Sequence, residues 1–570
     1  MRHRESRLSR SISTTRSTML GSMMDVPMNV IQIIERASRH HGSTEIVSAR
    51  SHGEEAHRYT YAEAYQRVCQ LGKALRALGL EPGDRVGTLA WNSHAHLEVY
   101  YATAGLGLVC HTLNPRFSAV DLEWIINHAE DQVLIVDIDF LPLVKDLLPR
   151  LETIRQVIVI DSQLAPAADR IPDALDYEAL LATESSSSPD WATVDEHQPC
   201  GLCYTSGTTG MPKGVTYTHR STTLHAYASS LPDSFALSAQ DAVMPIVPMF
   251  HVNAWGLPYS LPLVGAKIVL PGRALDGESL FQLMEAEQVT MAAGVPTVWL
   301  GILEHLNQKS RTFSSLKRTV IGGSAAPESM IRTIESTHKV SVVHAWGMTE
   351  ISPTGAVNTP TRALRQTDEE LSLSLKKKQG RAIPGIDIRI EKADGTTLPW
   401  DGSSPGHLLV RGPWVVQQYT GGVVGARSDG WFDTGDIATV DTQGFIHIVD
   451  RSKDVIKSGG EWISSIALES TACEHPGVFE AAVIGLPHPK WMERPLLICV
   501  PRPNSSLSPR ELRDFLAERL PKWWLPDAIE LVDSLPHGAT GKLLKTELRQ
   551  QFSHYSLAPA DNERTAGGVL

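Results

Sequence analysis

Cysteine is scarce, six in 570 residues, too few to staple so long a chain and therefore a mark of a reducing compartment. Cys200 and Cys203 form a CxxC. No second pair or histidine run completes a zinc site, and their segment reads as a buried strand in which cysteine serves as a small apolar residue. No apolar run approaches the roughly 18 residues that span a membrane, and no secretory signal is visible. Positive charge is in deficit, 52 Lys and Arg against 64 Asp and Glu. The net charge of −12 argues against a general nucleic-acid or polyanion binder. A site for a polyphosphate must therefore build positive potential locally.

What remains is an ordinary globular composition, 42% hydrophobic and 20% charged, in a chain too long for one core. Residues 1–19 are rich in Arg and Ser, with Glu5 the only acid. They read as a disordered tail, as residues before a later start at Met19, Met23 or Met24, or, less favoured, as a mitochondrial transit peptide.

From residue 30 the pattern is regular. Residues 30–38 suit a short amphipathic helix. Thr60 stands three residues before Glu63 as in a capping box, and Tyr65, Val68, Leu71, Leu75 and Leu78 follow at helical spacing until Gly79. Residues 85–90 read as a strand, 94–107 as a helix, 118–128 as a helix capped by Ser118, and 133–137 as a buried strand. Strands return beyond Gly201 at 267–270, 320–321 and 342–344. Such alternation implies βαβ units, hence an α/β fold of doubly wound, mostly parallel sheets. Residues 185–189 and 362–379 read as polar loops, and no internal repeat is present. Past residue 385 come short strands at 387–391, 406–410 and 445–449, a small β-rich subdomain. A compact α+β segment then runs to residue 551.

One stretch stands apart: Tyr204-Thr205-Ser206-Gly207-Thr208-Thr209-Gly210-Met211-Pro212-Lys213-Gly214. Residues 200–204 and 215–218 on either side read as strands, so the run is a loop between them. Gly207 and Gly210 let backbone N–H groups converge, and the hydroxyls of Thr205, Ser206, Thr208 and Thr209 with Lys213 add donors, which suits a polyphosphate. The spacing is not Walker A, since Pro212 precedes Lys213 and Gly214 follows. The run resembles the phosphate loop of the adenylate-forming superfamily of acyl-CoA synthetases, adenylation domains and luciferases. Later motifs keep the family's order from about residue 29 to about residue 551.

Those motifs carry the expected site. His251, in Pro248-Met249-Phe250-His251, reads by itself as a core histidine; the resemblance implies a place beside the bound carboxylate. Gly323, Ser324 and Ala325 match a loop against adenine and acyl group, although a plain strand-to-helix turn explains them nearly as well. In Trp346-Gly347-Met348-Thr349-Glu350, Trp346 offers a stacking face where the family usually has Tyr, Thr349 a hydroxyl for the α-phosphate, and Glu350 a hard ligand for Mg2+ together with Thr205. Two carboxylates fall in the apparent turn 431–436; the resemblance implies that Asp436 accepts the ribose hydroxyls, with Arg451 nearby. Lys453 matches the hinge position. Gly459, Gly460, Glu461 and Trp462 match the segment that lines the pantetheine channel, with Trp462 in place of the commoner Asn. Lys542 matches the lysine that reaches the adenylation site and holds the incoming carboxylate, and Lys545 stands where many members have Arg.

The resemblance implies a tail at 1–23, an adenylate-forming domain at 24–450, a hinge at 451–453, a small mobile domain at 454–551 and a disordered end at 552–570. It implies an ATP-dependent acyl-CoA ligase that uses ATP, Mg2+ and CoA and acts on a short- or medium-chain fatty acid or a related acid such as methylthio-propionate. Lys542, Thr205, Lys213, His251 and Glu350 are the expected catalytic set. The alternatives are an enzyme loading a carrier protein, a luciferase-like monooxygenase and an inactive nucleotide or acyl-adenylate sensor. The location expected is cytoplasmic, or the mitochondrial matrix if the N-terminal stretch is a transit peptide, with a homo-oligomer left open.

Overall fold

Two large sheets dominate the computed structural model, which describes residues 22–50, 55–205, 211–362, 364, 369–459, 461–503, 505–537 and 543–555. Among them, nine strands lie in the order Arg381–Ala382, Thr354–Val357, Ser341–Gly347, Arg318–Ile321, Met291–Gly294, Ala242–Pro245, Lys267–Leu270, Glu45–Ser48 and His57–Thr60. The inner pairs are parallel and the two ends antiparallel. Seven more strands lie in the order Leu175–Asp176, Gln156–Ile160, Asp131–Asp137, Arg85–Leu89, Val109–Thr112, Pro199–Tyr204 and Gly214–Thr218. Only the last pair of this sheet, the hairpin Pro199–Tyr204 with Gly214–Thr218, is antiparallel.

The strands are apolar because the sheets are covered on both faces. In Asp131–Asp137, Val133 and Ile135 enter one core cluster while Leu134 and Val136 enter another. The helix His94–Gly105 is buried at all twelve positions. Its neighbour Tyr61–Ala77 starts in the expected capping box: the Glu63 N–H donates to Thr60 Oγ1 (3.3 Å) and the Thr60 N–H to the Glu63 carboxylate (2.7 Å).

A four-stranded antiparallel sheet follows, Asp387–Glu391, Gly406–Arg411, Phe432–Val440 and Ile446–Arg451. The last sheet orders Glu461–Ile463, Ile456–Ser458, Met492–Pro501 and Val478–His488, with Ala528–Leu531 parallel to Met492–Pro501. Helices Ser465–Cys473, Pro509–Ala517 and Lys545–Gln551 accompany it, which makes this region α+β.

Three expectations need correction. The region 362–379 is not all loop, because it holds the helix Glu369–Lys376. Alternation of Leu and Ser hides the helical period there; tertiary contacts decide instead, with Leu373 buried, Lys376 paired with Glu335, and Lys377 with Glu328 (2.8 Å). Residues 431–436 are not a turn but the start of the strand Phe432–Val440, bent at Gly435. The chain beyond residue 551 is packed as far as Tyr555: Phe552 and Tyr555 lie against a core cluster, and the Tyr555 hydroxyl donates to Glu530 (2.6 Å).

The second sheet contains a buried polar pair. His111 Nδ1 lies 2.8 Å from Asp131, and neither side chain has any exposed surface. Burial pushes the Asp131 carboxyl above its ordinary range, and His111 pulls it back. The His111 ring packs 5.2 Å from that of Tyr204, where the strand enters the glycine-rich loop. Asp131→Ala leaves His111 buried without its partner and should cost about 3–5 kcal/mol. Urea denaturation followed by fluorescence checks this; a loss below 1 kcal/mol contradicts it.

Candidate active site

The hairpin edge of the seven-stranded sheet fixes both ends of the glycine-rich loop. The Thr205 N–H donates to the Lys213 carbonyl (2.9 Å), and the Lys213 N–H reaches Thr205 Oγ1 (3.4 Å). Ser206, Gly207, Thr208, Thr209 and Gly210 fall outside the described residues, as do Gly460 and Lys542. The Lys213 ammonium stands 5.0 Å from the centre of the Tyr419 ring. Gly214 permits this approach, since a Cβ there would lie 2.7 Å from Thr420 Oγ1.

The strand Ser341–Gly347 brings in the next group. Beyond it, the short turn Thr349–Ile351 is pinned through its backbone: the Tyr217 hydroxyl donates to the Thr349 carbonyl (2.8 Å), and the Val416 N–H to the Glu350 carbonyl (2.7 Å). Glu350 thus presents its side chain, which accepts a hydrogen bond from the Tyr419 hydroxyl (3.0 Å). Desolvation is the largest influence on this carboxyl and pushes its pKa up; the hydrogen bonds, Arg451 and Lys213 oppose it. The Tyr419 phenol is likewise pushed up by burial.

Asp436, 2% exposed, lies where the nine-stranded and four-stranded sheets meet. Its Oδ2 accepts from the indole N–H of Trp346 (2.9 Å), and its Oδ1 forms an ion pair with Arg451 Nε (2.9 Å), which stands directly opposite on the neighbouring strand. A carboxylate has about four acceptor positions. The Trp346 indole takes one and the Arg451 ion pair faces the other oxygen, so the carboxylate keeps acceptor capacity. Trp346, expected as a stacking face, stands in the structure as the hydrogen-bond donor that orients Asp436.

Gly323, at φ +82°, turns the chain after the strand Arg318–Ile321, with Ser324 exposed and Ala325 half-buried beyond it. His251 precedes a feature with no counterpart in the sequence reading. Val252, Asn253, Ala254 and Trp255 all have left-handed backbone, φ 46°, 49°, 46° and 59°. Each such non-glycine residue costs roughly 1–2 kcal/mol. Bonds from the Ala254 N–H to the Pro248 carbonyl (3.2 Å) and from the Gly256 N–H to the Asn253 carbonyl (2.9 Å) hold the turn, and Tyr100 donates to the Met249 carbonyl (2.6 Å) and to Asn253 Oδ1 (3.3 Å).

At the expected hinge, Lys453 is exposed and its carbonyl accepts from Arg549 (3.3 Å). Just before it, buried Asp450 accepts from the N–H and hydroxyl of Ser465 (2.6 and 2.7 Å), and Lys545 bonds both Ser465 (2.5 Å) and Glu469 (2.6 Å). Lys545 therefore pairs with half-buried Glu469 and lies close enough to buried Asp450 to offset its charge. Gly459 packs on Trp491, where a Cβ would lie 2.8 Å from the ring. Glu461 and Trp462 pair with Ser458 and Lys457. Among the described residues, no hydrogen bond or ion pair joins Gly459, Glu461 or Trp462 to Lys213, Glu350 or Asp436. Lys542 lies between His537 and Leu543, which pair with each other across the intervening residues.

The donor set suits magnesium. Among the described residues, no three His, Cys, Asp or Glu side chains form a cage. Magnesium, however, keeps its waters and is usually held by one or two carboxylates with substrate phosphates. Glu350 and the Thr205 hydroxyl supply hard oxygens of that kind. No helix among the described residues is long and apolar enough to cross a membrane.

Comparison with known proteins agrees with this geometry. Residues 34–420 match the family model of the AMP-binding enzymes, and residues 467–542 that of the AMP-binding enzyme C-terminal domain. The chain is 47% identical over 535 residues to a medium-chain-fatty-acid–CoA ligase of Ectopseudomonas oleovorans, covering 94% of this chain and 98% of the relative. It is 48% identical over 535 residues to a 3-methylmercaptopropionyl-CoA ligase of Ruegeria lacuscaerulensis, covering 94% and 99%. The fold matches the anthranilate CoA ligase AuaEII in complex with anthranoyl-AMP at a TM-score of 0.82, with 25% identity over 92% of this chain and 98% of that one. With both models matched in order and full-length relatives at nearly half identity, the chain belongs to the AMP-binding enzyme family.

Proposed function

We propose that this protein is an AMP-forming ligase that joins an unbranched aliphatic carboxylic acid of short to medium length to CoA, and that it accepts a thioether in the chain. The observation that carries the reading is that Arg451, paired with Asp436, and Lys213, on the glycine-rich hairpin, both lie close enough to Glu350 to lower its carboxyl pKa against burial. Support comes from relatives at 47% and 48% identity named for a medium-chain fatty acid and for 3-methylmercaptopropionate, the latter being pentanoate with one methylene replaced by sulfur.

The chemistry follows from the difficulty of expelling oxide from a carboxylate. An oxygen of the acid attacks the α-phosphorus of ATP, its P–O bond to pyrophosphate breaks, and acyl-AMP forms. The CoA sulfur then attacks the acyl carbon, and AMP leaves with the oxygen that the acid contributed. Asp436 and Arg451 hold the ribose, Trp346 and the loop at Gly323, Ser324 and Ala325 flank the base, and Thr205 and Lys213 draw charge from the phosphates. Magnesium held by Glu350 and Thr205 supplies charge neutralisation on the triphosphate when bound. His251 borders the acyl group on its strained turn. Lys542 holds the incoming carboxylate for the first step, and rotation at Lys453 replaces it with the face bearing Gly459, Gly460, Glu461 and Trp462 for the second.

Released AMP, measured across straight-chain, methylthio and aryl acids with and without CoA, should need both acid and CoA and favour six- to ten-carbon and methylthio acids by about tenfold or more, the order one or two buried methylenes supply. AMP release only with aryl acids would refute the substrate class. Lys542→Ala should slow acyl-AMP formation by about 10² to 10³ yet retain thiolysis of supplied acyl-AMP; stopped-flow assays of each half-reaction separate the two, and equal losses in both refute the division of labour. Asp436→Ala should raise the ATP KM by on the order of 10²-fold through two lost charged hydrogen bonds and leave the CoA KM within about twofold, whereas an unchanged ATP KM would remove Asp436 from the nucleotide site.

A further inference from the structure

Tyr419 matches none of the motifs read from the sequence, yet it touches both halves of the phosphate site. Its hydroxyl donates to Glu350 Oε1 (3.0 Å), and its ring lies under the Lys213 ammonium, 5.0 Å from the centroid. The side chain is 9% exposed. The loop that carries it is braced from within, with the Tyr419 N–H donating to the Val423 carbonyl (2.8 Å) and its own carbonyl accepting from Gly422 (3.2 Å). The loop is also docked on two sides. Thr420 Oγ1 lies 3.1 Å from Thr216 Oγ1 on the hairpin and over Gly214. On the other side, the Val416 N–H holds the Glu350 carbonyl and the Ser352 hydroxyl holds the Trp414 carbonyl (3.0 Å).

We propose that Tyr419 is a positioning residue for the metal–nucleotide complex: its hydroxyl aims the Glu350 carboxylate at the bound magnesium, and its ring holds the Lys213 ammonium in register with it. This rests on the ligase reading for the identity of the ligand. The physical argument is one of separation. Glu350 and Lys213 bear opposite charge and stand near each other, and a direct ion pair would occupy the carboxylate that the metal needs. A phenol between them gives Glu350 a neutral donor and Lys213 an aromatic face. Both charges thereby stay available to the phosphates.

The test reads nucleotide binding rather than turnover, so it stands even if the full-length enzyme activates none of the acids tried; that second failure would show separately as absence of acid-dependent AMP in the unaltered protein. ATP affinity is measured by equilibrium dialysis in EDTA and across a magnesium titration. Tyr419→Phe keeps the ring and removes the hydroxyl, and should raise the magnesium midpoint about tenfold while the affinity in EDTA stays within about twofold. Tyr419→Leu removes both and should weaken ATP in EDTA about threefold to tenfold as well. A Tyr419→Phe curve that superimposes on the unaltered protein overturns the proposal. So does an equal loss of metal-free and metal-dependent binding in both variants, which is what a merely structural tyrosine would give.

Discussion

A single buried carboxylate ties the architecture to the chemistry. Asp436 accepts a hydrogen bond from Trp346, near the end of a strand of the nine-stranded sheet, and pairs with Arg451, at the end of a strand of the four-stranded sheet. An isolated carboxylate in that position would be costly to desolvate. Trp346 and Arg451 meet that demand with a hydrogen bond and an opposite charge. The junction of the sheets is thus set by these three side chains.

Around that anchor, the chain solves its charge problem locally. In a protein with net charge −12, positive charge is gathered near Glu350 and Asp436 by Lys213, set against the Tyr419 ring at the sheet's hairpin edge, and by Arg451, paired with Asp436 across strands. Acids elsewhere are neutralised at short range: Lys545 serves Glu469 and lies close to Asp450, and Arg318 pairs with Asp241 (3.0 Å). The strained left-handed turn after His251 fits the same picture. Its cost is borne by the hydrogen bonds from Tyr100, Ala254 and Gly256.

Much of this was legible in the sequence because it is written in local patterns. The Thr60 capping box, the apolar run at 133–137 and the strands flanking the glycine-rich loop appear where they were expected. The doubly wound class follows from the alternation that these segments set up. What escaped depends on contacts distant in sequence. The helix Glu369–Lys376 is held by Glu328 and Glu335. Tyr419 meets Glu350 and Lys213 from 69 and about 200 residues away, and nothing in its own neighbourhood marks it. Four successive left-handed residues without a glycine leave no compositional trace at all. Gly435 and Asp433 suggested a turn because a bent strand and a turn draw on the same residues.

Activation of the acid as an adenylate passes one of its own oxygens to AMP. The direct measurement supplies octanoate labelled with 18O in both carboxyl oxygens, together with ATP and CoA, and determines the masses of the AMP and pyrophosphate released. Adenylate formation yields AMP heavier by one 18O and unlabelled pyrophosphate. Octanoyl-CoA formed with unlabelled AMP, or with the label in phosphate or pyrophosphate, would contradict it.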